Sequence, residues 1–183
     1  MSSGAHVDPS NKKIALQIAI LAVVLAFSET LGKSAQTAAL SYNIEASNLW
    51  SFFQAKTIRQ TTMRTAAEAL DVQYADKAPD AVKKQVDTWK KTAERYQSEP
   101  ETNEGRKELA ARAKKAEEKR DRSLASYHHY EVASAAVQIA IVLASAEVIT
   151  SVIALGWASA ALGVAAVGFC LIGYFWPMAV HLF

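Results

Sequence analysis

The chain has 183 residues, a formal net charge of +2 and a mean hydropathy of +0.03. This length accommodates one membrane domain plus one small soluble domain. The weak net charge gives no electrostatic case for nucleic acid, and a single cysteine, Cys170, excludes a disulfide framework or a Cys-based metal site within one chain.

The near-zero hydropathy averages two opposite kinds of segment. Residues 33–131 hold 18 of the 20 Lys and Arg residues, whereas 14–32 and 132–183 hold none and carry one carboxylate each. A soluble globule spreads its charges over its surface, so this segregation points to an all-α integral membrane protein. The expected layout is three transmembrane helices and an extramembrane helical hairpin with coiled-coil-like seams.

After an N-terminal tail (1–13) the first apolar run, Ile14 to Leu31, is just long enough to span a bilayer and predicts a transmembrane helix over 14–32. A cleavable signal peptide ending near Ala26-Phe27-Ser28 is the competing reading. The helical pattern resumes directly after Gly32, which favours a retained helix. Ala15, Ala19, Ala22 and Ala26 fall on one face, a small-residue stripe of the kind that lets helices approach closely in lipid.

Residues 33–131 read as a charged extramembrane domain. Residues 34–76 contain neither proline nor glycine and predict one long helix. Its cluster Leu49, Trp50, Phe52 and Phe53 is too apolar to be fully solvated and calls for another helix, a second chain or a lipid surface. Pro79 opens the next helix, in which Val82, Val86, Trp89, Ala93 and Tyr96 form a seam. Residues 98–105, with Pro100 and Gly105, are the clearest loop. A charged helix follows, with an apolar edge of Leu109, Ala113, Ala116, Leu124 and Tyr127. The simplest assembly is an antiparallel hairpin over 79–131 with its tip at 98–105.

Two further apolar runs predict transmembrane helices over 132–155 and 157–176, joined tightly at Gly156 and followed by a short tail, 177–183. Ala136, Ala140 and Ala144 share a face of the first of these. Tyr127, Tyr130, Trp157, Tyr174, Phe175 and Trp176 occupy the positions of interfacial belts. The domain joins membrane helices at both ends and so lies on one side. Its many membrane-proximal basic residues, set against only Lys12 and Lys13 on the other side, put it in the cytoplasm by the positive-inside rule, although the first helix taken alone argues the reverse because its N-terminal flank is the more basic.

Glu29 and Glu147 are the intramembrane polar candidates, because a carboxylate in a membrane helix is costly. The structural reading is a carboxyl bonded to a neighbouring helix. The functional reading is a proton or cation site. Adjacent His128 and His129 point about 100° apart and cannot easily share a metal, so they read as interfacial polar residues. His6 and His181 are isolated. No phosphate loop, nucleophile elbow, zinc motif or redox motif occurs, so neither enzymatic chemistry nor a cofactor is expected.

The stretch from Ser28-Glu29-Thr30-Leu31-Gly32-Lys33 through Asn43-Ile44-Glu45-Ala46-Ser47-Asn48-Leu49-Trp50 to Phe52-Phe53-Gln54-Ala55-Lys56-Thr57-Ile58-Arg59-Gln60-Thr61 resembles a bacterial family known as domain of unknown function 4337. The resemblance implies a small bacterial membrane protein of uncharacterised function, placed in the inner membrane, and supplies no catalytic residues. It draws attention to a polar set that includes Glu29, Lys33, Gln36, Lys56, Arg59 and Gln60. Trp50, Phe53, Lys56 and Arg59 read as an association surface or, alternatively, a lipid-headgroup site. The expected role is a membrane-anchored scaffold or interaction protein that self-associates or docks a protein partner. The alternative is an oligomeric channel or transport subunit that uses the intramembrane carboxylates.

Overall fold

The structure is a computed structural model that describes residues 9–180, so His6 and His181 lie outside the described residues. Four α-helices account for nearly all of it: α1 (Pro9–Tyr74), α2 (Asp80–Gln97), α3 (Arg106–Thr150) and α4 (Ile153–Phe175), with a 3-10 turn at Ala75–Lys77. No strand occurs among the described residues. Helices α1, α3 and α4 are each long and apolar enough to cross a membrane. The chain divides into two compact units, one drawn from Met1–Leu40 with Asp121–Phe183, the other from Ser41–Arg120.

The expected break near Gly32 does not occur. Helix α1 is continuous for 66 residues because no proline interrupts it and one interior glycine costs a helix only about 1 kcal/mol. The predicted segments 14–32 and 34–76 are one helix.

The first unit is a three-helix bundle. Its α1 segment runs parallel to α4, as the pairings of Gln17 with Ser159 and Ser28 with Cys170 show. Its α3 segment runs antiparallel to both. Leu21, Ala133, Val137, Ala140 and Ala166 form the core, with Val24, Leu162 and Phe169 packed against it. The small residues of α3 face inward: Ala140 and Ala144 are fully buried. The outward faces are apolar as well, with Phe27, Val142, Ile149, Trp157 and Val164 all exposed.

The turn between α3 and α4 lies at Ser151–Val152, not at Gly156. Ser151 adopts a left-handed conformation, φ 55°, and donates its N–H to the Glu147 carbonyl at 2.8 Å. This is the left-handed helix cap that glycine usually fills. Here serine fills it after Ile149 and Thr150, β-branched residues that weaken a helix end. Gly156 sits inside α4.

The second unit departs further from expectation. The hairpin over 79–131 with its tip at 98–105 is not formed. Helix α1 supplies one limb of the antiparallel pair, and α2 and α3 follow one another along it as the returning limb. Asp71 pairs with Lys90 and Gln60 with Ala93, then Thr57 with Arg106 and Trp50 with Glu117. The tip is the 3-10 turn, where Ala75 takes φ 44°, followed by Pro79 as the cap of α2. Residues 98–105 interrupt the returning limb. Ala46 and Leu49 of α1 meet Leu109, Ala113 and Ala116 of α3 in a core edged by Trp50 and Phe53. Leu124, expected on that apolar edge, is exposed.

Candidate functional site

Two polar centres stand out, one in each unit. In the first unit a groove of about 430 Å³ lies between α1 and α3. Helix α1 presents Glu29, Lys33 and Gln36 to it, at the four-and-three spacing that aligns one helical face. Helix α3 answers with Tyr127, Glu131, Ser134 and Gln138. Gln138 donates to Glu29 Oε1 at 3.4 Å and to Ser134 Oγ at 3.3 Å. The Tyr127 hydroxyl donates to Glu131 Oε1 at 3.3 Å, and the Glu131 carboxylate beside it holds the phenol above its usual range. His128 Nδ1 lies 3.6 Å from the same carboxylate.

Glu147 lies elsewhere in the first unit, half-buried in a cavity of about 280 Å³ with Lys13, Gln17, Gly156 and Trp157. Its carboxylate rests against Gly156, where an added Cβ would collide with Oε2. Gln17 completes the local bonding by donating to Ser159 Oγ at 2.9 Å, and Ser159 passes its hydrogen to the Ala140 carbonyl at 2.7 Å. Glu29 and Glu147 therefore line separate cavities and form no joint site.

Of the two histidines expected as interfacial polar residues, His129 departs from that role. His129 is fully buried, stacks on Phe169 and bonds the Pro177 carbonyl through Nε2 at 3.2 Å. It continues the buried face of Ala133, Val137 and Ala140 by helical spacing.

In the second unit the polar centre closes the junction of α2 and α3. Lys56 is buried and pairs with Glu99 at 3.2 Å and Glu104 at 3.8 Å. Its ammonium also lies over the Phe52 and Tyr96 rings. Arg106 stacks on Phe53, donates to Thr57 Oγ1 and Gln97 Oε1 at 2.9 Å each, and bonds Gln60. Trp50 donates its indole N–H to Glu117 at 2.9 Å. Of the four residues grouped as an association or headgroup surface, only Arg59 is exposed. Trp50 and Phe53 are half-buried against α3, and Lys56 is paired within the unit.

Glu108 pins this junction at the start of α3. It accepts from Ser98 Oγ at 2.6 Å and from the Glu99 N–H at 3.1 Å. The Ser98 hydroxyl foremost, then the Glu99 amide, hold its carboxyl below the ordinary range. A carboxyl depressed on folding contributes stability above its unfolded pKa and loses it as pH falls through the folded one. Wild-type protein is therefore expected to be more stable than Glu108→Gln at neutral pH. Thermal unfolding should show the difference shrinking as pH falls below 4.5. A difference unchanged down to pH 3 would rule out a charged Glu108 as the pin.

These features sit within a long match to a family model. Residues 10–176 match the model of the domain of unknown function DUF4337. The chain belongs to this family. The match takes in both the groove of the first unit and the α2–α3 junction of the second, so both polar centres are built from DUF4337 sequence. No curated protein matches the chain, and no solved structure does.

Proposed function

We propose that this DUF4337 chain is an integral membrane protein in which three helices anchor a charged helical scaffold that self-associates or docks a protein partner. The observation that carries the membrane reading is the outward face of the first unit. Phe27, Val142, Trp157 and Val164 are 64, 66, 75 and 75 % exposed around a bundle whose core is already filled. Apolar surface of that extent is stable in lipid and not in water. Self-association draws support from Ala15, Ala19, Ala22 and Ala26, all on the open side of α1. The excess of Lys and Arg in the charged unit favours a cytoplasmic location for it in a bacterial inner membrane. The sequence carries no catalytic motif, and the proposed role is not enzymatic.

The mass of the intact particle in native lipid discs tests the proposal. A mass at an integer multiple of the chain, or one with a stoichiometric second protein, is the expected result. A single-chain mass would overturn the association reading. Release of the protein from membranes by alkaline carbonate would overturn the anchor itself.

An oligomeric channel is the second reading, and Glu147 with Lys13 at one cavity favours it. It requires ion flux through reconstituted protein that falls in Glu147→Gln. Equal flux in the two proteins removes Glu147 from any path.

A further inference from the structure

The scaffold role leaves the groove between α1 and α3 unused. Its charges are of both signs, and two of them, Glu29 and Lys33, are poorly satisfied within the protein. Glu29 precedes Lys33 by four residues, the order in which a helix most readily pairs them. No ion pair joins them, and no carboxylate among the described residues pairs with Lys33. Glu29 receives one long bond from a neutral amide, Gln138, at 3.4 Å. Across the groove Glu131 takes the Tyr127 hydroxyl at 3.3 Å and faces His128 at 3.6 Å. Two carboxylates thus stand against one ammonium and the His128 imidazole.

The charge pattern selects the ligand. A lone phosphate would face two carboxylates, and a lone amine would face Lys33. A molecule carrying both an ammonium and a phosphate answers the two ends at once. The volume of about 430 Å³ lies in the range of small-molecule sites. Ile139, exposed next to Gln138 on α3, borders the groove where an acyl chain would lie. The cation end offers carboxylate and amide oxygens, which suit an N–H donor. A quaternary amine calls for an aromatic cage instead.

We propose that the groove binds the phosphoethanolamine headgroup of a phospholipid, its ammonium toward Glu29 and Glu131 and its phosphate toward Lys33 and Gln36. This inference rests on the membrane reading above. The site lies in the first unit and leaves Lys56 and Arg59 out.

The test is native mass spectrometry of the full chain in detergent, with equal amounts of diacyl phosphatidylethanolamine, phosphatidylcholine and phosphatidylglycerol. The expected result is a preference for phosphatidylethanolamine of about ten-fold, the scale of one charge-assisted hydrogen bond. Glu29→Gln should bring that lipid down to the level of phosphatidylcholine. Lys33→Gln should weaken both zwitterionic lipids alike. Both side chains are exposed, and circular dichroism verifies that the variants keep their helices. Displacement of the bound lipid by soluble glycerophosphoethanolamine supports headgroup recognition. Binding of that soluble compound with no retention of the diacyl lipid overturns the lipid assignment. Equal retention of the three lipids, or a preference that survives Glu29→Gln, overturns the site. A protein that stays in carbonate-washed membranes yet shows no preference fails this inference alone, whereas one released by carbonate fails the membrane reading.

Discussion

Leu109→Ala is expected to cost the charged unit about 3 kcal/mol, the middle of the range for large-to-small changes in a core. Leu109 is fully buried and is the largest such side chain among the described residues. Its buried neighbours are mostly alanines, Ala46, Ala113 and Ala116, with Leu49 the one larger residue. Alanine has no rotamers with which to refill a hole. The helices are also held apart on either side, by Trp50 on Glu117 and Arg106 on Thr57, so the backbone cannot simply collapse inward. The cavity should persist and its full cost be felt. Thermal unfolding followed by helix content should show the loss, with faster proteolysis at 98–105 as α3 loosens. A melting curve that matches wild type would mean that the α1–α3 pair is not held by this core.

The elements of that unit were legible because each helix carries its own periodic seam. Val86 and Ala93 of α2 are buried, as their spacing requires, and so are Leu109, Ala113 and Ala116 of α3. Their pairing was not legible. Pro100 and Gly105 give the strongest local turn signal, yet the chain reverses at Ala75–Lys77, where the only marks are Pro79 and a left-handed alanine. Turn residues report where a helix stops. Which helix face meets which decides where the chain folds back, and α1 is long enough to receive α2 and α3 in succession. The same reasoning explains Ser151: hydropathy runs straight through it, and the cap that breaks the run is a backbone conformation taken by a residue other than glycine.

Half of the groove was legible and half was not. Glu29, Lys33 and Gln36 stand out as polar residues on one face of α1. Their counterparts Glu131 and Gln138 join them only through the register of α3 against α1, which is a tertiary property. Lys56 shows the converse. As a basic residue beside Trp50 and Phe53 it resembles a headgroup ligand, but the Glu99 that neutralises it lies in the loop after α2, far along the chain. His129 is buried although its neighbour His128 is only half-buried, and nothing local in the sequence says which of the two faces the core. Successive helical positions diverge by about 100°, so one histidine enters the core as the other leaves it.

Gly173→Val should unpack the α3–α4 crossing of the first unit. A Cβ at position 173 would lie 2.9 Å from His129 Cβ, 3.2 Å from Tyr130 Cε1 and 3.4 Å from the Ser126 carbonyl oxygen. Two of these three atoms belong to or adjoin the backbone of α3 and cannot rotate away. Relief therefore requires the helices to separate. The buried His129–Pro177 bond spans the same crossing and would stretch beyond its 3.2 Å. The expected cost is on the order of 1–3 kcal/mol for overpacking, plus the loss of that bond. Gly168→Val is the control, since a Cβ there meets nothing within 4 Å. Thermal unfolding in detergent should lower the midpoint of the first variant and leave the second near wild type. Equal midpoints would mean that α4 is not seated on α3 at Gly173, and the burial of His129, which depends on that seat, would fall with it.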